Sequence, residues 1–146
     1  MKMSTKGRYG LRVMLELALN YRQGPTLVDA IALNQDLSGK YIHVLVGGLK
    51  SAGLIKAVRG PNGGYELTRD PATITALEII QAMEGDLAPL ECVRNSSCCT
   101  RIDACASREL WCEVASAMAK VLQGYTLADL ARRQQSLDKG NPDFSI

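Results

Sequence analysis

All five cysteines of this chain lie between Cys92 and Cys112, and the rest of the sequence is free of thiols. Cysteines used as small apolar fillers scatter through a core, so packing does not explain the bunching. From Glu91 to Cys105 the thiols are separated by small, polar and charged residues, among them Asn95, Ser96, Ser97, Thr100, Arg101 and Asp103. Such a segment cannot form a buried layer of its own. It predicts a loop over residues 86–106 wrapped around its thiols, with a metal centre as the favoured reading. The core must then be built from what precedes and follows it.

A chain of 146 residues is long enough for one compact core, or for a small domain with a helical appendage. No apolar stretch approaches the roughly 20 residues that span a bilayer, so no membrane partner is expected. The opening Met1 to Gly10 lacks the apolar centre of a secretory signal, which predicts a cytoplasmic protein. In a reducing compartment clustered thiols more often bind metal or sense redox state than staple a fold. The net charge of +2 hides a division: residues 1–60 hold nine Lys and Arg against three acids, and the remainder holds eight against twelve. The N-terminal part carries the electrostatic footprint of a nucleic-acid partner.

Leu11, Met14, Leu15, Ala18 and Leu19 recur at the spacing of one apolar helical face and predict a helix from about Thr5 to Tyr21, ended by Gly24 and Pro25. Thr26 with Asp29 predicts an N-cap for a short second helix ending near Asn34. Ser38 caps a third, running to about Ser51 with Ile42, Leu45, Val46 and Leu49 inward; the pair reads as a helix-turn-helix. Two β-prone runs, Leu54 to Val58 and Tyr65 to Leu67, flank a turn-rich hexapeptide and predict a hairpin, which after a helix-turn-helix is a wing. Thr75 and Glu78 fit a capping box for a fourth helix. A long helix from about Ser107 to Gln123 carries an apolar stripe of Leu110, Trp111, Val114, Ala117, Met118, Val121 and Leu122, and Thr126 to Arg133 forms a last short helix. So wide a stripe calls for a cover, and a two-fold partner supplies one; burial against the first helix is the alternative. The predicted fold is therefore mainly α with a small β-hairpin wing. A winged helix-turn-helix domain spans 1–85, the cysteine loop 86–106, the dimerisation helix and final helix 107–135, and a flexible tail 136–146.

Three stretches together resemble a known family: Ser4-Thr5-Lys6-Gly7-Arg8-Tyr9, the wing from Arg59 to Tyr65, and Cys92, Cys98 and Cys105 followed by Leu110-Trp111. They resemble the bacterial iron-sulfur cluster regulator IscR and its relatives NsrR and RirA, closest in pattern to IscR, over about residues 1–135. The resemblance implies a homodimeric winged-helix transcription regulator, not an enzyme, whose grip on a pseudo-palindromic double-stranded operator depends on a bound iron-sulfur cluster.

A recognition helix offers side chains near its N-terminal end to base edges in the major groove, here Ser38, Lys40, Tyr41 and His43. By the resemblance, Ser38 and Tyr41 match family positions that contact DNA, whereas His43 stands where IscR has a glutamate used in target discrimination. A carboxylate accepts from cytosine, while imidazole donates to guanine or meets a phosphate, so the operator sequence is not carried over. In the wing, Arg59, Gly60 and Asn62 suit close approach to the minor groove. Arg8 and Tyr9 are candidate phosphate contacts. Gly47 and Gly48 each cost a helix interior roughly 1 kcal/mol, which implies either a loose helix or a close neighbour.

Thiolates are the preferred protein ligands of iron-sulfur clusters. The resemblance assigns Cys92, Cys98 and Cys105 as metal ligands, with Cys99 and Cys112 as alternates, because Cys92-x5-Cys98 and Cys99-x5-Cys105 reproduce the two IscR intervals. The IscR histidine three residues after its third cysteine corresponds to Arg108, which cannot coordinate iron. The first-helix donors that some relatives lend to a partner subunit correspond to Arg8 and Arg12. The fourth site is therefore open, exchangeable, or filled by Cys112, Cys99, Asp103 or a small external ligand, which favours a labile 4Fe-4S sensor over 2Fe-2S. Such a sensor would respond to iron-sulfur status, iron, oxidants or nitric oxide. The alternative is a metal-free thiol-disulfide switch in which Cys98 or Cys99 pairs with Cys92 or Cys105. Zinc sites usually show C-x2-C pairs, which are absent, and no nucleophile elbow or phosphate loop suggests catalysis.

Overall fold

The computed structural model describes residues 2–141. Its elements, in chain order, are α1 (Thr5–Leu19), α2 (Val28–Gln35), α3 (Gly39–Ser51), β1 (Ile55–Val58), β2 (Gly64–Leu67), α4 (Ala76–Glu84), α5 (Glu91–Arg94), α6 (Ala106–Gln123) and α7 (Leu127–Lys139), with single 3-10 turns at Pro71–Thr73 and Ile102–Ala104. The two strands pair antiparallel, Ile55 opposite Leu67 and Val58 opposite Gly64. The architecture is the mainly helical fold with a two-stranded wing that the patterning predicts.

Helix α1 is central. It buries Val13, Met14, Leu17 and Ala18 against Ile31 of α2, Ile42, Leu45, Val46 and Leu49 of α3, Ile79 and Met83 of α4, and Leu127 and Ala131 of α7. Two backbone bridges stitch the layers. Thr26 exchanges N–H···O bonds with Tyr65 at 2.8 and 3.0 Å, tying the start of α2 to the wing. The Ala76 N–H donates to the Tyr125 carbonyl at 2.9 Å and the Leu127 N–H to that of Ile74 at 2.8 Å, tying the starts of α4 and α7.

Those last two helices begin with capping boxes. Thr75 accepts from the Glu78 N–H while Glu78 accepts from that of Thr75, as predicted, and Thr126 with Asp129 repeats the arrangement. Thr26, by contrast, caps nothing: α2 begins one residue later, so its N-cap is Leu27, whose side chain has no acceptor, and the Thr26 backbone is held in a bridge to Tyr65. Helix α1 stops at Leu19 rather than Tyr21, since Arg22 and Gly24 take positive φ. Helix α7 passes Arg133 and runs to Lys139, sustained by its capping box and a Gln134–Asp138 bond of 2.8 Å. Part of the stretch expected to be a flexible tail is thus helical, and residues 142–146 lie outside the described residues.

The two glycines of α3 have different settings. A Cβ on Gly48 would sit 2.7 Å from the Met83 methyl, whereas one on Gly47 would meet nothing within 4 Å. The helix is regular, and close packing explains only Gly48. Gly48→Ala sets roughly 1 kcal/mol of helix propensity against displacement of a movable terminal methyl and is expected to change stability by less than about 1 kcal/mol, whereas Gly10→Ala, whose Cβ would fall 2.5 Å from the Met83 Cγ, is expected to cost about 1–3 kcal/mol, both read by urea unfolding.

Burial tends to raise the Glu78 pKa, but the Thr75 N–H and the Arg69 guanidinium outweigh it and hold the carboxyl below its usual range. Asp129 is lowered likewise, first by the Thr126 N–H. Depressed folded-state values mean that both caps stabilise fully above the ordinary carboxylate range and lose that contribution as pH falls through it. Thr75→Ala should cost about 1 kcal/mol at neutral pH, and the deficit should shrink in acid in paired melts of variant and parent.

Candidate DNA-reading surface and cysteine loop

Helix α3 starts where Ser38 accepts from the Tyr41 N–H at 3.1 Å. Ser38 therefore serves first as the cap, with its hydroxyl proton left to donate. From that start Lys40, His43, Val44, Gly47 and Lys50 stay exposed while Ile42, Leu45, Val46 and Leu49 are buried, so the helix presents one continuous outer face. Tyr41 is half-buried, its ring meeting that of Tyr9 edge-on at 6.1 Å. Tyr9 is in turn flanked by the guanidinium groups of Arg8 and Arg12, 4.9 and 5.1 Å from its ring centre. These contacts fix two cations beside the entry of α3. The predicted Arg8, Tyr9, Ser38 and Tyr41 thus form one cluster, with Lys40 and His43 on the adjoining face.

Arg12 also donates to the Gln35 side chain at 2.8 Å, and Gln35 and Asn34 donate to the buried Glu16 carboxylate at 2.9 and 2.6 Å. This chain of bonds locks α2 onto α1. In the wing, Gly60 takes a φ of +116°, which only glycine adopts readily, and Arg59, Gly60 and Asn62 are all exposed at its tip. Lys56 pairs with Glu66 at 3.2 Å, so the base of the wing is less basic than its composition implies. Arg59 keeps its charge for an outside partner.

Glu84 is a residue that sequence patterning gave no reason to single out. Its carboxylate accepts from the Ser4 N–H at 3.2 Å, the Gly7 N–H at 3.0 Å and the Ser4 hydroxyl, placing an anion at the positive end of α1. The partners lie about 80 positions apart, so no local signal reveals the contact.

The cysteines occupy the segment after α4. Cys92 is on α5, Cys98 and Cys99 are exposed in a turn, Cys105 is the N-cap of α6, and Cys112 lies on α6 itself. Arg94 ion-pairs with Asp86 at 3.0 Å and Glu91 at 3.2 Å, and the Asn95 side chain accepts from Ser97. Partial desolvation raises the Cys98 pKa, and then the neighbouring Cys92, Cys99 and Glu91 raise it further. Among the described residues, no three His, Cys, Asp or Glu side chains are gathered around one point that a metal ion could occupy. The donor types nonetheless suit an iron-sulfur cluster better than any hard cation.

Two details bear on the fourth donor. Arg108 turns its Nε to the Cys92 carbonyl at 2.9 Å, so this position braces α5 against α6. Helix α6 begins at Ala106, immediately after Cys105, so Cys112 stands about 10 Å along the axis from Cys105. That separation takes Cys112 out of a shared set with Cys105 in this arrangement.

Comparison with known proteins matches these features. Residues 3–133 fit the family described as Rrf2, iron-dependent transcriptional regulator. The chain is 44% identical to the HTH-type transcriptional regulator CymR of Bacillus subtilis, over 90% of each chain. It is 33% identical to IscR of Escherichia coli, over 94% of this chain and 85% of that one. Its structure superposes on that of B. subtilis CymR, described as the global cysteine regulator, with a TM-score of 0.77 at 42% identity, covering 91% of this chain and 98% of that one. For T. potens IscR the TM-score is 0.76 at 36% identity, with 92% and 88% covered. Identity to CymR thus exceeds identity to IscR, although the cysteine spacing resembles IscR. The chain belongs to the Rrf2 family of winged-helix, DNA-binding transcription regulators and is not an enzyme.

Proposed function

We propose that this regulator is a cytoplasmic homodimeric repressor that reads a pseudo-palindromic operator through α3 and the wing, and that an iron-sulfur cluster on the cysteine loop sets its grip. The observation that carries the reading is the placement of four of the five thiols in the segment between α4 and α6, Cys98 and Cys99 exposed and Cys92 and Cys105 partly so, with Cys112 on α6 itself. Cys92, Cys98 and Cys105 would hold the group, with Cys99 as the alternate to Cys98 and Asp103 or an external ligand at the fourth position. A 4Fe-4S form with three protein thiolates is favoured over 2Fe-2S. Bound there, the group would supply a covalent tie between α5, the turn and α6 that iron shortage, oxidants or nitric oxide can break.

The protein's own residues supply the rest. The last turn of α4, just before the loop, touches both DNA-reading helices: Met83 meets α3 at Gly48 and α1 at Gly10, and Glu84 caps α1. A change in loop anchorage therefore acts on the residues that orient α3. The dimer reading rests on α6, an 18-residue helix with no buried residue and with Leu110 and Val121 56% and 61% exposed. Its main neighbours are α4 and α5, so packing against α1 does not cover its stripe.

A thiol-disulfide switch is the second reading. It is supported by the adjacency of Cys98 and Cys99 in the exposed turn, and by the 39% identical Staphylococcus aureus CymR, whose structure is described as an oxidized form.

Protein purified without oxygen should be brown, with iron and sulfide in comparable amounts, and Cys92→Ala or Cys105→Ala should bleach it. Colourless protein with reversible disulfides would favour the second reading, and stoichiometric zinc would end both. In anisotropy titrations, Arg59→Ala should weaken binding to every duplex and lower the salt slope by about one, whereas His43→Ala should shift base preference. Val121→Asp should yield monomers by sedimentation. A variant that remained dimeric would remove α6 from the interface.

A further inference from the structure

Nothing inside the protomer asks for a glycine at position 47. A Cβ there would find no atom within 4 Å, and the residue is exposed within regular helix. Alanine would stabilise that helix by roughly 1 kcal/mol, and the neighbouring Gly48, whose Cβ would fall 2.7 Å from the Met83 methyl, has the internal neighbour that Gly47 lacks. A use for the missing side chain at Gly47 is therefore to be sought outside the protomer. Its position says where. It lies on the outer face of α3 in line with Lys40, His43 and Val44, three and four residues apart, and so one turn beyond the residues proposed to read bases.

Val44 is the second oddity on that face. It is 55% exposed, apolar and β-branched in a strip whose other side chains are polar. The major groove displays one apolar group, the 5-methyl of thymine. We propose that Val44 and Gly47 form a bare notch that reads a T·A pair in each half-site. The Val44 γ-methyls meet the thymine methyl, and the missing side chain at Gly47 lets the groove wall close on the helix backbone. The Ser51 hydroxyl, which donates to the Gly47 carbonyl at 2.9 Å, satisfies that carbonyl a second time as the groove wall approaches.

The inference rests on α3 being the groove helix, and the test separates the two. Wild-type protein first enriches duplexes from a randomised pool, which tests the groove reading by itself; no enrichment overturns that reading and the notch together. In the enriched duplex, each thymine is replaced in turn by deoxyuridine, which removes only the methyl. At one position per half-site wild type should lose about fourfold in affinity, the scale of one buried methyl, and Val44→Ala should be indifferent to the same replacement. Gly47→Ala should melt no lower than wild type and remain a dimer, yet lose on the order of tenfold or more for the enriched duplex through steric intrusion. If Gly47→Ala binds as wild type, if it disrupts the dimer, or if every deoxyuridine is silent, the notch falls while the groove reading stands.

Discussion

The fold turns on the packing of Met83 into two glycine-made gaps. Its side chain lies where a Cβ on Gly10 of α1 would fall, 2.5 Å from its Cγ, and where one on Gly48 of α3 would fall, 2.7 Å from its methyl. One flexible, polarizable side chain thereby sets the spacing of three helices at once. The next residue, Glu84, fixes the start of α1 through Ser4 and Gly7. At Gly85 the chain leaves with a φ of +80° and enters the cysteine segment. The placement of α3, the proposed reading helix, and the anchorage of the cysteine loop therefore share one helical turn.

What the sequence made legible was local. The apolar spacing of α1 and α3, the Ser38 cap, the Thr75 capping box and the glycine-rich hairpin are all written within a few residues, and each forms. What it concealed was reciprocal or remote. Thr26 has the residue type of an N-cap, but its backbone is held by Tyr65, and a pattern search over neighbours cannot weigh a strand 39 positions away. Glu84 reads as an ordinary surface acid until Ser4 is seen beside it. The paired glycines of α3 look equivalent in sequence and differ entirely in space. Lys56 counts toward a basic wing until Glu66, across the hairpin, cancels it.

At the candidate site the residue types were legible and their arrangement was not. The thiols are close in sequence, yet the polar composition that marks the segment as a loop also denies it a packed core to gather them. Cys92 rides on a single helical turn braced by Arg108, and Cys105 is the last residue before α6. The thiols therefore belong to separate anchors, and a group that joined them, such as the proposed cluster, would alter the relation between those anchors. This is a consequence of hanging thiols on flanking helices.

The uneven charge gives that arrangement a direction. The basic excess lies in residues 1–60, which build α1 to α3 and the first wing strand; the acidic excess falls mainly in residues 61–85, with four acids against one Arg, while the segment from residue 86 onward, with eight acids and seven Lys and Arg, is close to neutral. Attraction to a polyanion thus acts chiefly on residues 1–60, and the thiol-bearing segment adds little to it in either direction. The cysteine segment is connected to α1 and α3 through the last turn of α4, where Met83 packs against both and Glu84 caps α1.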